Sequence, residues 1–335
     1  LTEYDMELVR RSHFLGVKEL REVIAAYLYR NRGIKISPEC IVIGAGVEYL
    51  YGRLIKLMPQ KARYAVENPS YKKLPKIYDE YGLDWVWTCM DNDGINMESL
   101  REVKADVIHV SPEHHYPLGT VMSVTRRREL LDWALEDENR YIIEDDYDCE
   151  FRYHTNSIFA MKSMDIQDRV IYMNTFSKTL APSIRISYMV LPESLMIKYI
   201  NMTNFYSNTA STSEQYALYK FIEKGYFERH ISRLKKHFHN KGEKLIKIIK
   251  DAGNLPVLDI SGGESGTHIL LKMNTRMSDF EIKKAAMAQG INIACLSDFC
   301  SEVLPEFEHT LVMNYLNLNE DKLRKTIKRL GKIFA

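Results

Sequence analysis

Lys178 is the residue of this 335-residue chain best placed to do chemistry. It follows the apolar run Val170–Met173 and a few small hydroxyl residues, and a second apolar run, Ile184–Leu191, comes after it. The first run reads as a buried strand. A lysine between two core strands is expected in a cleft, where burial lowers its pKa and favours the neutral, nucleophilic amine. Such an amine forms a Schiff base with an aldehyde. Thr175 and Ser177 precede the lysine by three and one residues, and Arg185 follows it by seven. Two hydroxyls and one bidentate cation suit a phosphate. Aldehyde and phosphate together point to pyridoxal 5'-phosphate (PLP). The competing reading is an ordinary lysine in a turn between strands, in a chain that has 46 Lys and Arg.

The elements that must position these groups alternate along the chain. Residues 16–30 carry apolar positions at helical spacing and stop near Gly33. Cys40–Ile43 reads as a strand, Gly44-Ala45-Gly46 as a turn, and Tyr49–Met58 as a helix. Strand Arg63–Val66, a helix from Tyr71, strand Trp85–Thr88, helix Met97–Val103, strand Val107–Val110, helix Thr125–Glu136 and strand Tyr141–Ile143 follow. Alternating strands and helices imply βαβ units and a largely parallel sheet with helices on both faces. In such sheets ligands bind beyond the carboxyl ends of the strands. From about Ser211 the pattern changes to a long helical stretch, Gln215–Ala252, with breaks expected near Gly225 and Gly242. Three strand-like runs (His268–Met273, Ile291–Leu296, Thr310–Leu316) and a helix, Asp321–Phe334, complete the chain. The expected domains are a large one at 36–205 and a small C-terminal α+β one at 206–335, with residues 1–35 packing with the latter.

Composition narrows the function classes. Hydrophobic residues at 45% and charged residues at 27% describe a globular protein with a sizeable core. A net charge of +1 gives no global field toward nucleic acid or an anionic membrane. No apolar run is long enough to span a membrane, and the stretch LTEYDMELVRR lacks a signal peptide's apolar core. Five scattered cysteines fit reduced thiols in the cytoplasm. No Cys/His spacing suits zinc, so no structural metal is expected.

Further candidate groups fall at the strand ends. Glu144-Asp145-Asp146-Tyr147 follows Tyr141–Ile143 directly. A carboxylate there could pair with a protonated pyridine nitrogen, and a phenol could bond the ring's oxygen. A solvated acidic turn is the plainer alternative. Tyr71, in ENPSY, could stack on a flat cofactor or simply join the core. The glycine turn could present backbone N–H groups to an anion at a helix N-terminus. In the tight loop SPEHHYPLG, His114, His115 and Tyr116 are donors or stacking groups.

Taken together these segments resemble the fold-type I, PLP-dependent aminotransferases. Within them the chain resembles the aminotransferase-like domain of MocR/GabR-type transcriptional regulators of the GntR family. YIIEDDYDCEFRY with VIYMNTFSKTLAPSIRISYMVLP looks like that group's signature pair, and SPEHHYPLGTVM resembles its SH-x-x-P-x-G loop. The resemblance implies an α/β fold with a mostly parallel central sheet. It also implies PLP held covalently on Lys178, Asp145 on the pyridine nitrogen and Tyr147 on the ring hydroxyl oxygen. Tyr71 would stack, and Thr175, Ser177, Arg185 and the amides of Ala45, Gly46 and Val47 would form the phosphate cup. Tyr116 stands where aminotransferases usually carry an asparagine near the ring oxygen.

Two departures bear on function. Val47 replaces a usual Thr or Ser. The small domain lacks the arginine that holds a substrate α-carboxylate, offering Val312 and Asn314 instead. The resemblance therefore implies an effector-sensing module that forms an external aldimine with a small amino compound. DNA would be reached only through an upstream domain outside this chain. A free-standing aminotransferase, with Lys178 as general base, is the alternative. Either implies a cytoplasmic homodimer. Arg152, Lys73 and the loop Ser111–Gly119 are candidates to contact the effector or substrate.

Overall fold

A computed structural model describes residues 12–153, 159–302, 304–316 and 319–334. The stretch LTEYDMELVRR lies outside them. An eight-stranded sheet forms the larger part. Its strands are β1 (Ile41–Gly44), β2 (Arg63–Asn68), β3 (Asp84–Asp91), β4 (Gly94–Ile95), β5 (Val107–Val110), β6 (Tyr141–Asp145), β7 (Val170–Thr175) and β8 (Ser187–Val190), in the order β1-β8-β7-β6-β5-β2-β3-β4. The five central strands from β7 to β3 run parallel, whereas β8 pairs antiparallel with both β7 and β1, and β4 antiparallel with β3. Antiparallel β8 explains how Arg185 returns to Lys178 through a short turn. No long crossover is needed between antiparallel neighbours.

Both faces of this sheet are covered, so successive residues of a strand enter different cores. Ile171 and Met173 of β7 pack with helices α2 (Val47–Ile55), α3 (Lys73–Glu80) and α7 (Glu193–Thr203). Tyr172 faces the other way, toward α1 (Lys18–Arg32) and α8 (Thr212–Glu223). Val170 and Ile142 share a third cluster with α4 (Met97–Glu102) and α5 (Val124–Leu135). The single-turn α6 (Phe176–Thr179) carries Lys178 and is capped by the Thr175 hydroxyl, which accepts from Ser177 N–H.

The smaller part is an antiparallel sheet in the order β11-β12-β10-β9, made of β9 (Val257–Gly262), β10 (His268–Met273), β11 (Ala294–Cys295) and β12 (Thr310–Asn314). It packs with the 27-residue α9 (Tyr226–Ala252), α10 (Asp279–Ala288) and α11 (Glu320–Gly331). Three expectations change here. Gly225 breaks the helical stretch in the left-handed region, but Gly242 does not. A Cβ at Gly242 would lie 3.3 Å from the Tyr315 ring, so its small size serves close packing inside a continuous helix. Only Ala294–Cys295 of the run 291–296 pairs as a strand. The N-terminal helix α1 shares its core with Ile41, Ile43 and Tyr188 of the large sheet as well as with α8. It bridges the two parts rather than joining the small one alone. Helix α9 does likewise: Phe227 and Ile231 sit in that same core, and Phe238 and Leu245 in the small one.

Candidate functional site

The carboxyl ends of β2, β5, β6 and β7 open on one cavity of about 420 Å³. Val47, Tyr71, Tyr116, Asp145, Tyr147, Thr175, Ser177, Lys178 and Arg185 all line it. Ala45 and Gly46 do not. Ala45 N–H donates to Thr209 Oγ1 at 3.2 Å, and Gly46 N–H to the Gly44 carbonyl at 2.9 Å. The phosphate cup expected from three successive amides therefore has two of them engaged elsewhere. Gly46 contributes through its missing side chain: it caps α2 at φ 94°, and a Cβ there would come 2.4 Å from Arg185 Nη2.

Asp145 ends β6 with its side chain toward the cavity. Its Oδ2 accepts from the Tyr51 phenol at 2.7 Å and lies 3.4 Å from His109 Nε2, while its buried Oδ1 has no hydrogen-bond partner. The neighbouring acids face the opposite way and are buried, so this is no solvated turn. Glu144 accepts the Met161 and Lys162 amides at 2.8 Å each. Asp146 pairs with Arg32 at 2.8 Å and accepts from Tyr172 at 2.6 Å.

Lys178 stands exposed at the cavity rim, so the burial expected of it is not provided by this chain alone. Its Nζ lies 5.9 Å from the centre of the Tyr147 ring. The Tyr147 hydroxyl donates to the His114 carbonyl at 3.2 Å, and burial, followed by the Asp148 and Asp145 charges, keeps the phenol protonated far into the alkaline range. Ser177 donates to the Ile184 carbonyl at 2.8 Å, which commits its proton. Arg185 pairs with Glu48 at 2.7 Å. Tyr71 is half exposed and meets Tyr116 edge-on at 6.2 Å.

Of the candidate effector contacts, Lys73 and the loop residues Ser111, His115 and Tyr116 line the cavity, as does Asn314 from β12. Arg152 does not line it; it donates to buried Glu113 at 3.0 Å. Sequence reasoning passed over Glu48, Tyr51, Glu67 and His109. Glu67 accepts the Ser111 amide at 3.2 Å and sits 3.6 Å from His115 Nε2. Burial pushes the Glu67 carboxyl up to about 8 and the His115 imidazole down to about 3. A protonated acid thus faces a neutral ring, and the pair is uncharged at neutral pH.

The chain belongs to the aminotransferase class I and II family, whose profile matches residues 8–329. It is 35% identical over 331 residues to the uncharacterized HTH-type transcriptional regulator YdeL of Bacillus subtilis, covering 98% of this chain and 70% of that protein. The probable rhizopine catabolism regulatory protein MocR of Rhizobium meliloti is 27% identical over 320 residues, covering 95% of this chain and 64% of that protein. Among solved structures, the kynurenine aminotransferase of Pyrococcus horikoshii superposes with a TM-score of 0.86 at 24% identity, covering 99% of this chain and 84% of its own. The fold is that of the fold-type I aminotransferases, and the regulators share the higher identity. The family implies PLP. The residues fit it: an unpartnered Asp145 oxygen suits a ring N–H, and Gly46 with Arg185 suits a phosphate.

Proposed function

We propose that the chain is the PLP-binding, effector-sensing domain of a MocR-type transcriptional regulator, with DNA contacted by a separate HTH segment. The observation that carries this is the joint placement of Lys178, Arg185 and Asp145 on one cavity of a chain 35% identical to an HTH-type regulator. When bound, PLP supplies an aldehyde reactive toward primary amines and a ring that takes up electrons. Lys178 Nζ would hold the cofactor covalently, at the aldehyde carbon for which the amine of a small effector would compete. The Asp145 carboxylate would receive the ring N–H. Arg185, with the Thr175 and Ser177 hydroxyls, would hold the phosphate, for which Arg185 leaves Glu48 and Ser177 turns its proton from the Ile184 carbonyl. Tyr71 covers one ring face.

On the effector side β12 brings Asn314 to the cavity but not Val312, and neither has a charge to offer a carboxylate. That feature favours binding without turnover over full transamination of an α-amino acid. The site is completed in a homodimer, because Lys178 and Tyr71 are left open by a single chain. Sedimentation of the PLP-loaded protein should give a dimer; a monodisperse monomer that keeps the cofactor contradicts this. Free cysteines accord with the cytoplasm.

The deciding experiment is the absorption spectrum of the PLP-loaded protein titrated with a panel of amines and amino acids. A band that shifts with one compound and then persists supports the sensor. Collapse to the amine form of the cofactor, reversed by a 2-oxo acid, identifies an aminotransferase instead. Absence of any bound-cofactor band after adding PLP refutes both.

A further inference from the structure

In the cavity wall two buried side chains meet Asp145 and a third backs one of them, and the reading above gives them no part. Tyr51 comes from α2, His109 from β5 and Tyr78 from α3, and all are at most 6% exposed. The Tyr51 phenol donates to Asp145 Oδ2 at 2.7 Å. His109 Nε2 lies 3.4 Å from the same oxygen, and the Tyr78 hydroxyl lies 3.0 Å from the other ring nitrogen, Nδ1. The imidazole also packs between the two phenol rings, 5.4 Å from Tyr51 and 6.4 Å from Tyr78 between ring centres.

Elementary hydrogen-bond logic orders these contacts. A neutral imidazole has one N–H and one lone pair. Were the proton on Nδ1, it would point at Tyr78 and leave the lone pair of the buried Nε2 facing a carboxylate oxygen, an unfavourable contact of two acceptors. With the proton on Nε2, both ends are satisfied: Tyr78 O–H donates to Nδ1 and Nε2–H points at Oδ2. Burial, with the Asp145 charge acting in the same direction, keeps both phenols protonated, so each has a proton to donate. Two donors then converge on one carboxylate oxygen, and the other is the one without a partner.

We propose that Tyr78 and Tyr51 are positioning residues for Asp145. Tyr78 fixes His109 as the Nε2–H tautomer, and His109 and Tyr51 together hold Oδ2 and so fix the orientation of the carboxylate that lines the cavity. The proposal rests on the PLP reading for its purpose, but the tautomer and the orientation belong to the protein by itself.

The test begins without cofactor. In protein labelled with ¹⁵N in the histidine rings, long-range ring correlation spectra report the tautomer, and the His109 signals are those lost in His109→Gln. The expected tautomer is Nε2–H. In Tyr78→Phe, which keeps the ring packing, the tautomer should shift toward a mixture. An Nδ1–H tautomer in the wild type overturns the proposal, and so does a Tyr78→Phe spectrum identical to it. In PLP-loaded protein, Tyr51→Phe should weaken cofactor binding about tenfold and Tyr78→Phe by a smaller factor. Neither change should weaken it further in an Asp145→Asn background. Equal losses in both backgrounds mark a packing role only and refute the proposal. Failure of the wild type to bind PLP would sink the functional reading yet leave the tautomer result standing.

Discussion

Alanine at Gly46 tests the phosphate cradle more sharply than removal of any charge. Gly46 has φ 94° and ψ 163°, a conformation that essentially only glycine adopts. Forcing an L-residue into it costs about 1–3 kcal/mol of folding stability. The new Cβ would also lie 2.4 Å from Arg185 Nη2 and 2.9 Å from its Cζ. That group is the far end of a flexible, half-exposed side chain, so it gives way. The backbone strain thus falls on folding, and the steric clash falls on where Arg185 can stand. Two readouts separate them. Urea unfolding of the cofactor-free protein should report the ~1–3 kcal/mol. PLP titration should report weaker binding, by about tenfold or more, from loss of a charge-assisted contact to the phosphate. In an Arg185→Ala background the same Gly46→Ala change should still cost its folding energy but add little to the loss of affinity. Unchanged stability, to within about 0.5 kcal/mol, refutes the backbone argument. A full affinity loss in both backgrounds refutes the route through Arg185.

Glu67 ties stability to pH. Its folded carboxyl is pushed from 4.5 up to about 8, so the folded protein keeps a proton that the unfolded chain releases. This contribution is complete below pH 4.5 and is lost as pH rises toward about 8. Glu67→Gln should remove that decline, and a difference between the two stability curves that stays flat across the window contradicts it. Arg32→Met strips buried Asp146 of the guanidinium 2.8 Å away, while Glu113 keeps Arg152 and Arg127. Chemical denaturation should show a loss of about 3–5 kcal/mol, and a loss under ~1 kcal/mol would mean that the Asp146 charge finds another partner. Lys178→Ala should leave stability within about 0.5 kcal/mol because the side chain is exposed, while abolishing the borohydride-fixed PLP adduct. An adduct that persists moves the covalent site to another lysine.

Much of the large sheet was legible because its strands are short apolar runs between turn residues. Val107–Val110 was placed to the residue, and His268–Met273 in the small sheet likewise. The directions of the strands were less so. A parallel and an antiparallel neighbour bury the same residues, and nothing in Ile184–Leu191 announces that β8 runs against β7. β9 was missed since most of its residues are exposed and it carries no buried stripe. α10 was missed although Ser278 and Glu281 form a capping box before it. There the signal was present and went unread.

The candidate site divides along the same physical line. Lys178, Arg185 and Asp145 stand out because a charge beside an apolar run needs a reason to be there. Tyr51 and His109 do not, since a tyrosine in an apolar helix face and a histidine inside VIHV satisfy the core pattern they sit in. Alternation held the missing clue: Val107 packs in the cluster that contains Tyr51 and Tyr78, whereas Ile108 and Val110 pack on the opposite face. His109, two residues from Val107, therefore belongs on the face of the two tyrosines, and a polar ring among phenols calls for a partner. That partner is Asp145, whose own position at the end of β6 was read correctly from sequence. A polar residue that fits its element's apolar stripe is thus best questioned by asking which charged strand end shares its face.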